Sequence, residues 1–129
     1  MKTYQDETDF LVIEDDSDTI KILKEFFKSK GYTYKYANSV RKGLEILKNC
    51  TPSIILLDIL LPDRKGYEII NSIKSNTTFH KVRIYFLTAV HQDEVQKKVD
   101  EYHIDGIIEK PFNLREFEAL FEILKNKNQ

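Results

Sequence analysis

Two short apolar runs in this chain each stop at acid. Ile54-Ile-Leu-Leu57 is followed by Asp58, a lone carboxylate, and Phe10-Leu-Val-Ile13 by Glu14-Asp15-Asp16. Neither run alternates polar with apolar residues, which is how a parallel strand covered on both faces is written. Each therefore delivers its acids to a strand's carboxyl end, the edge at which open α/β sheets form ligand crevices. A single aspartate in that place also serves as an ordinary turn cap. Carboxylates drawn together are a different matter, because their repulsion is tolerated where they share a hard cation through oxygen ligands. Pro62 and Gly66 break the chain soon after Asp58 and start the next helix, which keeps the intervening loop short.

Whether the acids meet depends on the elements that carry them. Ser17 or Asp18 can cap a helix with apolar positions Ile20, Leu23 and Phe27, and Gly31 stops it. Residues 32–37 alternate around Tyr34 and Tyr36 as a shorter, more exposed strand. Asn38 or Ser39 caps a second helix carrying Val40, Leu44 and Leu47, with Cys50 an inert residue near its end and Pro52 beyond. Residues 66–73 give a third helix on Ile69, Ile70 and Ile73. Residues 82–87 form a fourth strand ending at Thr88-Ala89, and residues 92–102 a polar helix whose inner stripe is Val95, Val99 and Tyr102. Gly106-Ile-Ile-Glu109 is a fifth strand, ending at Lys110-Pro111. Asn113 can cap a final helix with Leu114, Phe117, Leu120, Phe121 and Leu124 facing inward and Ala119 and Ile123 outward.

Five strands alternating with five helices specify right-handed βαβ units, hence a parallel sheet with helices on both faces. The expected fold is α/β and flavodoxin-like, a doubly wound (βα)5 single domain with strand order 2-1-3-4-5. Strands one and three are neighbours at the switch point of that order, so Glu14, Asp15 and Asp58 should converge in one pocket. Residues 1–9 read as a polar tail, 10–125 as the domain and 126–129 as a second tail.

Composition narrows the function classes. A chain of 129 residues buries roughly two-thirds of its unfolded surface and needs no staples. Twenty basic against twenty-one acidic residues leave a net charge of -1, which argues for neither a nucleic-acid nor a membrane surface. No apolar run approaches ~18 residues, and residues 1–9 lack a signal-peptide core. Cys50 is the only cysteine and makes no internal disulfide. The expected location is the cytoplasm. The four glycines are dispersed, so a glycine-rich phosphate loop is absent, and His80, His91 and His103 show no metal-ligand spacing. A haloacid-dehalogenase-type phosphatase would need a second Asp two residues after the first, where this chain has Leu60.

Taken in order, four groups of residues resemble the receiver domain of two-component response regulators (the CheY-like family). They are Glu14-Asp15 after strand one, Asp58 within Asp-x-x-x-Pro-x-x-x-Gly, Thr88-Ala89 after strand four, and Lys110-Pro-Phe112 after strand five. Alone, Lys110 reads as a surface lysine before a turn proline and Thr88 as an ordinary strand residue. Together, and each at a strand end, the groups form a strong signal that spans residues 10 to about 124.

The resemblance implies that Asp58 accepts a phosphoryl group from the phosphohistidine of a sensor histidine kinase or histidine phosphotransfer protein. It implies Mg2+, with Asp15 and Asp58 as side-chain ligands, the Leu60 carbonyl as a third, Glu14 in the outer shell and Asp16 as a possible substitute. Lys110, Thr88 and the Ala89 backbone N–H would hold phosphoryl oxygens. Such a protein is not a conventional enzyme; it catalyses its own aspartyl phosphorylation and dephosphorylation. Thr88 and Ile107 would form the switch, Ile107 standing where many receivers carry an aromatic residue, and the bond before Pro111 would be cis. Output would leave through the face of the fourth helix, fifth strand and fifth helix, toward a downstream protein or a second copy. Leu60 and Val90 would flank the path of the hydrolytic water and, being apolar, prolong the phosphorylated state. The alternatives are a docking module that works without phosphorylation, or a receiver piece of a larger regulator or hybrid kinase.

Overall fold

The computed structural model describes residues 6–61, 66, 68–89, 92–110 and 114–127. Five parallel strands, β1 (Asp6–Ile13), β2 (Tyr34–Ala37), β3 (Cys50–Leu57), β4 (Arg83–Thr88) and β5 (Gly106–Glu109), form one sheet in the order β2-β1-β3-β4-β5. Between and after them run α1 (Ser17–Lys30), α2 (Val40–Leu47), α3 (Glu68–Lys74), α4 (Gln92–Tyr102) and α5 (Glu118–Lys127), with 3-10 turns at Thr77–Phe79 and Leu114–Phe117. This is the doubly wound α/β fold and strand order that the alternation of elements predicts. No helix among the described residues is long and apolar enough to cross a membrane.

The apolar runs lack alternation because the sheet is covered twice. On β1, Leu11 and Ile13 join Ile55, Leu57, Ile69, Ile73, Val95 and Val99 in one buried layer. Phe10 and Val12 face the other way, against Leu23, Phe26 and Phe27 of α1 and Leu120, Phe121 and Leu124 of α5. The second layer is aromatic: Phe10 stacks on Phe27 at 4.2 Å between centroids and meets Tyr32 and Phe121 edge-on.

Several boundaries differ from the expectation. β1 starts at Asp6 rather than Phe10, and β3 at Cys50, because Asp6, Glu7 and Thr8 pair with Cys50, Thr51 and Pro52. Residues 6–9 are therefore strand rather than tail, and Cys50 is a buried strand residue rather than one near a helix end. The start of β1 is polar because Asp6 and Glu7 are exposed there. Asp16, not Ser17 or Asp18, stands at the N-cap position of α1, and its carboxylate accepts the Thr19 hydroxyl rather than a helix N–H, since the turn out of β1 is only three residues long. Gly31 ends it as expected, with φ 79, while the Tyr32 N–H reaches back to the Phe27 carbonyl at 3.0 Å. Ser39 caps α2 by accepting the Lys42 N–H. At the last helix Leu114 falls in a 3-10 turn and is 45% exposed instead of buried, so the inner stripe begins at Phe117. Ile123, expected to face outward, is half-buried against the aromatic layer, while Ala119 is exposed. α5 runs to Lys127, past the expected domain end.

The aromatic layer ties α1 and α5 to the sheet through Phe10, which has no exposed surface. Phe10→Ala should therefore lower the unfolding free energy by about 3–5 kcal/mol in urea titrations. A loss under about 1 kcal/mol would mean that this ring does not hold the layer together.

Candidate functional site

The site follows from strand register. Ile13 and Leu57 are partners in the β1–β3 ladder, and the Asp58 N–H continues it by donating to the Ile13 carbonyl at 2.9 Å. The two strands thus end level, and the next residue of each is an acid. The Glu14 N–H donates to the Ala37 carbonyl of β2, which draws that residue into the sheet as well. Carboxylate oxygens of Glu14, Asp15 and Asp58 all lie within 4.8 Å of one another. Glu14 has no exposed surface, Asp58 is buried, and Asp15 opens to solvent.

Among the described residues, one base reaches this cluster. The Lys110 N–H donates to the Thr88 carbonyl at 2.9 Å, extending the β4–β5 ladder by one residue. The Lys110 ammonium is ion-paired with Glu14 and lies 3.3 Å from Asp58 Oδ2. The other Asp58 oxygen accepts the Leu60 N–H at 2.9 Å. Thr88 is buried at the end of β4, and Ala89, next in the chain, is exposed. The loop after Asp58 closes on Gly66, whose N–H donates to the Ile59 carbonyl; a Cβ at Gly66 would lie 2.0 Å from the Asp58 carbonyl oxygen. Only glycine allows that approach.

Burial, and after it the neighbouring Asp58, push the Glu14 carboxyl up to about 7, against the lowering pull of Lys110 and the Asp16 N–H. Burial works against the charge on Lys110, but Glu14 and Asp58 outweigh it and hold the ammonium's pKa above its usual value. A fully buried acid, a buried acid and a solvent-facing acid make an all-oxygen donor set of the kind hard cations take, so these residues fit magnesium.

Of the residues expected here, Glu14, Asp15, Asp58, Lys110, Thr88 and Ala89 end up at one edge of the sheet. Asp16 is engaged elsewhere: its carboxylate accepts the Thr19 hydroxyl, a bond that also lowers its pKa. Leu60 is 51% exposed beside Asp58. Ile107 is half-buried, paired with Phe86 and packed against the aliphatic layer. Pro111, with its expected cis bond, Pro62, Phe112 and Val90 lie outside the described residues. The sequence reading missed the Glu14–Lys110 pair. Its signal was available, since an acid buried at a strand end needs a base and Lys110 also stands at one.

A cleft of about 810 Å3 opens elsewhere, lined by Glu7, Thr51, Lys81, Arg83, Asp105 and Ile123 among others. Its acids and bases balance, and it holds none of the candidate site residues.

The model of the response regulator receiver domain matches residues 10–122. A cyclic di-GMP phosphodiesterase of Thermotoga maritima is 31% identical over 104 residues, 81% of this chain and 27% of that protein. Response regulator SaeR of Staphylococcus aureus is 28% identical over 109 residues, 84% of this chain and 46% of SaeR. The chain thus spans less than half the length of either relative. Among solved structures, a two-component response regulator from Legionella pneumophila superposes with a TM-score of 0.84 at 26% identity, covering 92% of this chain and 98% of the other. One from Clostridium difficile gives 0.82 at 25%, covering 97% and 100%. A parallel five-stranded sheet with an acidic carboxyl edge and a lysine reaching into it is the architecture of a signal receiver. The chain belongs to the response regulator receiver domain family.

The Glu14 environment has a pH signature. Its carboxyl holds a proton up to about pH 7 in the folded chain and up to about 4.5 when unfolded, so between those values the folded state binds more protons and stability falls as pH rises. In chelating buffer, the stability of the wild type relative to Glu14→Gln should drop by about 1–3 kcal/mol from about pH 5 to about pH 8. Denaturant titrations giving a flat difference would contradict this placing of Glu14.

Proposed function

We propose that the domain is a phosphoacceptor switch of a two-component phosphorelay, working in the cytoplasm, with Asp58 as the phosphorylated residue. The supporting observation is the setting of Asp58, a buried carboxylate with Lys110 3.3 Å away and oxygens of Glu14 and Asp15 within 4.8 Å. An Asp58 oxygen attacks the phosphorus of a phosphohistidine on a sensor kinase or histidine phosphotransfer protein. The P–O bond forms as the P–N bond breaks, and the electron pair returns to the imidazole, which takes up a proton. Asp15 and Asp58, with the Leu60 carbonyl and Glu14 behind them, would hold Mg2+, which supplies neutralisation of charge on the transferring group.

The remaining roles fall to residues at the ends of β4 and β5. Lys110 would meet a phosphoryl oxygen, and the Thr88 hydroxyl and Ala89 N–H would meet others. Movement of Thr88 toward the phosphoryl group vacates space that Ile107, half-buried two strands from Asp58, can repack into. The face of α4, β5 and α5 would then present a changed surface to a downstream protein or a second copy. The whole-protein activities of longer relatives are not needed for this step.

Acetyl phosphate with magnesium should add one phosphoryl group to the wild type and none to Asp58→Asn, read by intact mass. Equal gain in both would refute the assignment of Asp58. The exposed Leu60 side chain offers no hydrogen bond to a hydrolytic water, so Leu60→Asn should shorten the lifetime of the phosphorylated state, followed by loss of the added mass. An unchanged lifetime would remove Leu60 from control of hydrolysis.

A further inference from the structure

We propose that a second copy of this chain docks edge to edge, the basic β2 edge of one molecule against the acidic β5 edge of the next. The small net charge hides a separation of charge. Residues 17–48, which form α1, β2 and α2, carry eight lysines and arginines against three aspartates and glutamates. Residues 92–109, which form α4 and β5, carry six acids against two lysines. β2 and β5 are the first and last strands of the sheet, so the two concentrations lie on opposite sides of the molecule. They also share a layer. Lys35 is on the face of β2 that buries Ala37 in the aliphatic core layer, to which α2 contributes Val40 and Leu47. Glu109 is on the face of β5 that turns Ile107 to the same layer, to which α4 contributes Val95 and Val99. Exposed Lys35 and Lys42 thus stand at one edge of this layer, and exposed Glu94 and Glu109 at the other.

Among the described residues β2 pairs only with β1 and β5 only with β4, which leaves a row of backbone N–H and C=O groups open on each outer edge. Lysine on such an edge discourages pairing with another basic edge, so β2 against β2 of a second copy is disfavoured. The acidic edge of the same sheet removes that repulsion. Because all five strands are parallel, β5 of one copy beside β2 of the next continues the sheet, with α4 meeting α2 on the aliphatic face. The two surfaces differ, so the contact is heterologous and repeats head to tail rather than closing as a symmetric pair. It needs no phosphoryl group on Asp58 and stands independently of the phosphorelay reading.

The test follows the 129-residue chain, without phosphodonor, by sedimentation velocity up to ~1 mM in about 0.05 M NaCl. The average mass should rise with concentration past that of a dimer, and about 0.5 M NaCl should weaken the association ~10-fold or more. Lys35→Glu with Lys42→Glu, and separately Glu94→Lys with Glu109→Lys, should each stay monomeric. An equimolar mixture of the two double variants should associate, because each junction between them restores opposite charge. Such recovery cannot come from a variant that merely misfolds. A mixture that stays monomeric would overturn the contact, as would double variants that each associate like the wild type, which would point to a symmetric pair through another face. A wild type that stays monomeric at ~1 mM would overturn it too. If that monomer bound poly-L-glutamate and lost it on Lys35→Glu with Lys42→Glu, the basic edge would belong to a foreign acidic partner instead.

Discussion

The structure is arranged around a concentration of like charge that water would disperse. Three carboxylates lie within 4.8 Å of one another, two of them buried, and one ammonium stands among them. Such a cluster costs folding free energy, and the rest of the chain supplies it from apolar burial. The long β1–β3 pairing holds Ile13 level with Leu57, so the acids that follow cannot move apart. Behind them the two core layers, one aliphatic and one aromatic, clamp the central strands from both faces. Gly66 then seals the loop against the Asp58 backbone, where any larger residue would collide.

How much of this was legible in the chain depended on which forces decide each feature. The central strands were readable because a covered strand must be apolar at every position, and Phe10 to Ile13 and Ile54 to Leu57 are. Their beginnings at Asp6 and Cys50 were not, since pairing there is fixed by the neighbouring strand and joins an exposed, polar start of β1 to a buried Cys50. Gly31 and Ser39 announced helix ends by local chemistry that tertiary contacts do not override. Leu114 misled because helical spacing cannot foresee that the first turn is 3-10 and turned to solvent. At the site, the convergence of Glu14, Asp15 and Asp58 followed from strand order alone. The partners within it did not: that Asp16 would take the Thr19 hydroxyl and Lys110 would pair with Glu14 is settled by side-chain reach across the finished sheet.

The least anchored helix lies where output is proposed. Among its described side chains α4 buries only Val95 and Val99 well, with Tyr102 half-buried. It ends at His103 in a left-handed conformation, φ 55, which a residue with a Cβ adopts at some cost. Lys74 at the end of α3 bonds the His103 carbonyl at 2.8 Å, and the Asp105 carboxylate takes the Ile84 N–H at 2.7 Å. An element held by a few such contacts belongs to the low end of local stability, which is where a surface that must change is expected. β5 separates it from the helix α5, whose aromatic contacts are extensive, and carries Lys110 at its tip. The strand that delivers the site's only described base therefore also borders its loosest helix.

The central claim is that repulsion among the acids is held in the fold for use, at the expense of stability. Thermal unfolding of Asp58→Asn and wild type in chelating buffer tests it directly, because asparagine keeps an acceptor for the Leu60 N–H and removes one charge. If repulsion dominates, Asp58→Asn melts about 3 °C or more above wild type. A midpoint equal to or below that of the wild type would show that attraction between Asp58 and Lys110 outweighs the repulsion, and the account of a strained acidic cluster would fail.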